Sequence, residues 1–264
     1  MRNIFLFLFM IYLTDTFGQA NFQKHFDSLA LKGSTTIYDF KNKKWIYSDS
    51  LDAEKETLPA STFKILNSLI ALQNKVVSNE SQIIKWDSIE KKFFGAKIES
   101  WNKDTDLRTA YKNSTVWFYV KIAKEIGRTK YKKILKKCKY GNGNLEEKGI
   151  DFWNYGEFAV SPKNQIEFLV KLYKSQLPFS KPTTDKVKEL MISEKTKTHT
   201  YRDKTGWTRK DGQDIIWWIG YVEMKGNVYF FATRLIKNEN ENNTNFPKGR
   251  KEITKLILKV IESQ

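Results

Sequence analysis

The run Asp214-Ile-Ile-Trp-Trp-Ile-Gly-Tyr-Val-Glu-Met224 is unbroken by charge from Ile215 to Val222 and is dominated by β-branched and aromatic side chains. That composition reads as a strand buried on both faces. Lys225-Gly226-Asn227 is a turn signal, and Asn227 to Ile236 repeats the strand-like composition beyond it. His199 to Trp207 does the same ahead of it. Three consecutive antiparallel strands are predicted. Far upstream, Thr35 to Asp39 and Trp45 to Ser48 read as a hairpin across the polar segment Phe40 to Lys44. Ile253, Leu256, Ile257, Val260 and Ile261 close the chain with the spacing of an amphipathic helix.

Helical patterns fill the middle. Leu58-Pro59-Ala60 leads into the apolar run Ile65 to Leu72, a helix entry that puts Ser61 and Lys64 on one face of a first turn. Val116, Val120, Ala123 and Ile126 recur near helical spacing, with Gly127 as the stop. Lys130 to Lys139, Lys163 to Lys174 and Thr184 to Ile192 follow the same period. Residues 75–112 are polar and irregular, with Trp86, Phe93, Phe94 and Trp101 as expected core anchors. Strands at both ends with helices between predict an α+β fold, a central antiparallel sheet built from N- and C-terminal strands and flanked by helices. Without repeats or a linker, residues 21–264 are expected to form one domain.

Residues 1–20 read as a signal peptide: Arg2, the apolar stretch Ile4 to Leu13, and Gly18-Gln19-Ala20 at the cleavage position. The apolar stretch is shorter than the roughly 20 residues a membrane span needs. An exported protein, periplasmic or secreted, without stable membrane insertion after cleavage, is expected. Cys138 is the only cysteine, so packing rather than a disulfide must hold the fold. It lies among lysines but reads as a structural thiol. The formal net charge is +16, and removing Arg2 with Asp15 leaves it unchanged. Such a surface attracts polyanions, yet export argues against nucleic acid as a partner, and a solvated basic face on the Lys130 to Lys139 helix accounts for the densest lysines.

Three short motifs carry chemistry. Ser61-Thr-Phe-Lys64 places a nucleophile three residues before a base, Ser114-Thr-Val116 adds a second serine, and Lys204-Thr-Gly206 lies on a predicted strand. Ser-x-x-Lys also occurs at Ser88 and Ser100, but in polar stretches without a helix entry. Serine needs a base before it attacks. His25 and His199 belong to no recognisable triad, and no histidine or cysteine pair has metal-ligand spacing, so no metal is expected. Lysine must then be the base. With an ordinary pKa of about 10.4 it would be protonated at neutral pH, so Lys64 must be neutralised by burial or modified.

Together, Pro59 to Ile65, Ser114-Thr-Val116, Tyr140-Gly-Asn142, Phe152-Trp153 and Lys204-Thr-Gly-Trp207 resemble the class D serine β-lactamases, the oxacillinases, in order along essentially the whole mature chain. The resemblance implies a β-lactamase/transpeptidase-like fold and hydrolysis of β-lactams. It implies that Ser61 attacks the β-lactam carbonyl and that Lys64 is N6-carboxylated by carbon dioxide, with no other cofactor. Val116 and Trp153 would shape the pocket, the Trp153 indole donating to the carbamate. Ser114 and Lys204 would pass a proton to the leaving nitrogen. The N–H groups of Ser61 and Trp207 would form an oxyanion hole beside Gly206, and Thr205 and Arg250 would hold the antibiotic's carboxylate, with Arg234 a competing candidate. Tyr140-Gly141-Asn142 reads equally as a structural turn, and Trp153 has a plain core reading; a strand bulge at Gly206 is the weaker reading, because the serine motifs occur with it.

The chain departs from that family at Asn154, where an apolar residue is usual, and at Leu66, where proline is common. Two other functions share parts of the chemistry. A penicillin-binding DD-peptidase or transpeptidase usually carries asparagine where Val116 stands. A non-hydrolysing β-lactam-binding sensor module would keep its acyl-enzyme, and normally comes with membrane helices and an effector domain. Val116 favours the hydrolase.

Overall fold

The computed structural model describes residues 17–147 and 149–263. Its sheet has six antiparallel strands: β1 (Lys32–Asp39), β2 (Lys44–Tyr47), β5 (Ile192–Lys195), β6 (His199–Lys210), β7 (Gln213–Met224) and β8 (Asn227–Asn238), in the spatial order β2-β1-β8-β7-β6-β5. A separate two-stranded hairpin pairs β3 (Lys92–Phe93) with β4 (Ala96–Lys97). Asp211-Gly212 and Lys225-Gly226 join the long strands, all four residues with positive φ, the backbone that a two-residue hairpin between twisted strands demands.

As the sequence predicted, β7 is buried on both faces. Ile215, Trp217, Ile219 and Tyr221 point into one core, while Ile216, Trp218 and Val222 point into the other. The second core is covered by α1 (Phe17–Asp27) and α8 (Phe246–Glu262) through Phe22, Phe26, Ile253 and Ile257. The first is covered by α2 (Lys64–Gln73), α4 (Val116–Ile126), α5 (Arg128–Cys138), α6 (Pro162–Tyr173) and α7 (Lys181–Leu190), with α3 (Leu107–Asn113) leading into α4. Sheet and helical layer are fastened where the fully buried Trp217 donates its indole N–H to the Leu58 carbonyl at 2.9 Å. Truncating such a side chain to alanine costs about 3–5 kcal/mol, and here it also frees the segment that enters the site.

Three expectations need correction, and one disfavoured alternative falls away. Ser61 lies not in an α-helical turn but in a 3₁₀ turn, Ala60–Phe63, and α2 begins at Lys64. Phe93 and Phe94 do not anchor the core: Phe94 is 43% exposed, because β3 and β4 stand at the mouth of a cleft instead of under the helices. Trp86 is only half-buried, whereas Trp101 is buried as expected. Finally, β6 has no bulge at Gly206, since its register with β7 runs unbroken through Gly206 and Trp217. The predicted signal segment lies outside the described residues except for Phe17–Ala20, which open α1. Among the described residues, no helix is long and apolar enough to cross a membrane.

Candidate active site

The chain enters the site through a turn held from three sides. Ala60 adopts φ +52° and donates its N–H to the Trp153 carbonyl at 2.9 Å. A left-handed alanine costs roughly 1–2 kcal/mol, so the surrounding contacts must over-determine it. The Thr62 hydroxyl donates to the Pro59 carbonyl at 2.7 Å and accepts from Gln165 Nε2 at 2.9 Å. Gln165 in turn accepts from the Tyr140 hydroxyl at 2.7 Å, so a buried polar chain braces the turn from behind. Phe63 points away into an aromatic cluster, stacked on Trp153 at 5.3 Å.

That turn brings Ser61 to Lys64. Lys64 Nζ lies 2.5 Å from Ser61 Oγ, and Lys64 is fully buried. Burial above all, and then the positive charge of Lys204, hold its amine well below the ordinary lysine range; Asp151 pulls weakly the other way.

A second serine–lysine pair faces the first. Ser114 ends α3 in a left-handed conformation, φ +56°, two residues before α4. Lys204 on β6 donates to Ser114 Oγ at 3.1 Å and to the Thr205 carbonyl at 2.9 Å. Burial lowers Lys204 to about 7; Asp203 opposes that shift, while Arg250 and Lys251 add to it. Gly206 allows β6 this close to the Ser61 turn: a Cβ there would stand 2.9 Å from the Pro59 carbonyl oxygen and 3.2 Å from Ala60 Cβ. Arg250, from α8, donates to the Gly206 carbonyl at 2.7 Å.

These elements open onto one cleft of about 710 Å³, whose lining includes Ser61, Ser114, Val116, Thr205, Trp207 and Arg250. Lys64 and Lys204 lie buried beneath it. Trp153 is outside the lining, behind the Ser61 turn, and its fully buried indole N–H has no partner among the described residues, as is also true of the Trp207 and Trp218 indoles.

The penicillin-binding protein transpeptidase domain matches residues 24–259. β-Lactamase OXA-2 of Salmonella typhimurium is 37% identical over 98% of this chain and 94% of its own. Among solved structures, a class D β-lactamase from Sebaldella termitidis is 46% identical, with a TM-score of 0.86 over 92% of this chain and 96% of that one. A class D β-lactamase from Nostoc is 41% identical, with a TM-score of 0.85 over 92% and 98%. The chain belongs to the class D β-lactamases.

In this class D β-lactamase the two candidate arginines separate cleanly. Arg234 is fully buried and spent on the Lys55 carbonyl at 2.8 Å, Thr57 Oγ1 at 3.0 Å and an ion pair with Asp52. Arg250 reaches the cleft. Tyr140, Gly141 and Asn142 do not line it; they form a turn in which the Asn142 N–H donates to the Ala159 carbonyl and Asn142 Oδ1 accepts from the Ala159 N–H. Cys138 is buried, and burial pushes its thiol up to about 12, as a structural thiol requires. Asn154 is buried on the cleft wall, its carbonyl accepting from Thr208 Oγ1 at 2.6 Å. Leu66 is simply core. Sequence reading missed Gln165 and Asp151. Burial raises the Asp151 carboxyl against the pull of the Asn154 side chain and of Lys64. No motif marked either, because both act through neighbours distant in sequence.

Proposed function

We propose that this protein hydrolyses the β-lactam amide of penicillin-type antibiotics through a serine acyl-enzyme, and so confers β-lactam resistance. The observation that carries the reading is the 2.5 Å approach of a fully buried lysine amine to the Ser61 hydroxyl, with the unpartnered Trp153 indole N–H behind the same turn. Desolvation favours the neutral amine, the form able to add carbon dioxide, and a free indole donor is what a buried carboxylated amine needs. Carboxylation of Lys64 Nζ would supply an oxygen base near neutral pH, held by Trp153 and Ser61, for proton removal first from serine and then from water.

Ser61 Oγ would attack the lactam carbonyl, and the N–H groups of Ser61 and Trp207 would receive the developing oxyanion. Each such donor contributes about 3–4 kcal/mol to the transition state. As the C–N bond breaks, Ser114 would hand its proton to the leaving nitrogen and recover one from Lys204, whose pKa of about 7 suits an exchange in either direction. Thr205 and Arg250 would grip the substrate carboxylate, and Val116 would keep the Lys64 side of the cleft apolar. A signal segment removed after Ala20 would deliver the protein to the periplasm, where β-lactams act.

The test is a time course of penicillin hydrolysis by the mature protein in bicarbonate-supplemented buffer. Sustained turnover far beyond one equivalent is expected. A burst of one equivalent followed by a plateau would point to a sensor module or a DD-peptidase instead.

A further inference from the structure

Two stretches of the cleft lining carry different electrostatic designs. From Lys85 to the start of β3, every cleft-lining lysine is neutralised by its own neighbourhood: Lys85 by Asp104 at 2.7 Å, Lys91 by Asp87 at 2.7 Å and Lys92 by Glu90 at 3.1 Å. The other stretch is α4. Its cleft face runs Val116, Trp117, Val120, Lys121, Lys124, a single helical stripe that is apolar beside Ser114 and cationic farther along. Lys121 and Lys124 are exposed, and neither has an ion-pair partner among the described residues. Glu125, the one acid on this helix, does not line the cleft.

We infer that Lys121 and Lys124 form an anion subsite that favours β-lactams bearing a second carboxylate on the acyl side chain. The inference rests on the β-lactamase reading and deepens it. On that reading the ring carboxylate goes to Arg250 and Thr205, which leaves the cation pair on α4 without a role for a monoanionic substrate. At 1.5 Å per residue, Lys121 and Lys124 stand about 7 and 12 Å along α4 from Val116. Flexible lysine stems shorten that reach, and an acyl side chain would cross the apolar Val116–Trp117–Val120 strip before meeting them. With Lys85, Lys91 and Lys92 paired, α4 adds unpaired positive charge to the cleft beyond that of Arg250, so the preference has a direction.

The experiment compares the hexanoyl and adipyl amides of 6-aminopenicillanic acid, in which a terminal methyl of the acyl chain is replaced by a carboxylate. It measures kcat/KM by hydrolysis and, separately, the rate of Ser61 acylation by mass spectrometry. In the Lys121→Gln/Lys124→Gln protein the adipyl-to-hexanoyl ratio is expected to fall about three- to tenfold, the range for one or two exposed ion pairs. Raising salt to about 0.5 M should move the unsubstituted protein's ratio toward that of the variant. A ratio unchanged within a factor of 1.5 in both measurements overturns the subsite while leaving the β-lactamase reading intact. Failure of Ser61 to acylate with either penicillin overturns both. Because both lysines are exposed, the variant is expected to fold, and circular dichroism checks that it does.

Discussion

Two serine–lysine pairs face each other across this cleft, built from the same residue types and tuned apart. Lys64 lies 2.5 Å from Ser61 and Lys204 lies 3.1 Å from Ser114, and burial is the main influence on both amines. The difference is the neighbouring acid. Asp203 precedes Lys204 on the same strand and holds its pKa at about 7, so both protonation states are present at neutral pH. Lys64 has only Asp151, the least of its three influences, and Lys204's own charge works against it. Burial makes a lysine neutral; a nearby carboxylate decides whether it still carries a proton to exchange. One pair is thus suited to hold a base and the other to shuttle a proton.

Removing the nucleophile breaks the first pair outright. Ser61→Ala is expected to abolish acyl-enzyme formation, a loss of about 10⁴-fold or more in kcat, read by mass spectrometry after penicillin treatment. Lys64→Ala should leave slow acylation but stall release, lowering turnover about 10³-fold; single-turnover kinetics separate the two steps. Full multiple turnover in that variant would sink the proposed base.

Smaller changes sharpen the contrast. Trp153→Phe keeps the ring and removes the orphaned donor. The bicarbonate concentration needed for half-maximal activity should rise about tenfold, the worth of one buried hydrogen bond, with a matching loss of the ¹³C-carbamate NMR signal. For the second pair, the folded protein holds Lys204 near 7 whereas the unfolded chain holds it near its ordinary 10.5. Between those values the unfolded state binds the extra proton, so stability rises with pH. From about pH 7 to 9 the Lys204 contribution has a slope of up to about 1.4 kcal/mol per pH unit. Urea midpoints should therefore climb over that range and climb less steeply in Lys204→Met; equal slopes would show that Lys204 titrates normally. Smallest of all, Asn154→Leu makes the wall by Asp151 more apolar. It should lower the bicarbonate requirement by about threefold, because the charged amine becomes still less favourable.

Much of this was legible in the sequence, where local physics decides. The alternation that buries β7 on both faces, the α4 helix stopping at Gly127, and the amphipathic α8 all follow from side-chain periodicity. The serine and lysine motifs were visible because their spacing is short. What escaped reading depends on tertiary contact. Phe93 and Phe94 look like core residues because aromatic composition does not say whether a hairpin lies under a helix or at a cleft mouth. The 3₁₀ turn at Ser61 is imposed from outside by Trp153, Gln165 and Trp217, none near it in sequence. The apolar stripe of α6 hid the polar role of Gln165, which shares its buried face with Ile166 and Leu169.

The pairing of β1 with β8 carries a consequence for biogenesis. Lys32 lies opposite Ile236 and Asp39 opposite Tyr229, so the sheet joins residues about two hundred positions apart. Such non-local pairing is slow to form, because a long loop must close before its contacts reward it. Ser61 and Lys64 emerge early in synthesis, yet Lys204 and Arg250 arrive only with the final quarter of the chain. On the proposed reading, a nascent or truncated chain therefore holds the Ser61–Lys64 pair without Lys204 or Arg250, and is expected to stay chemically silent until β6 and α8 are in place.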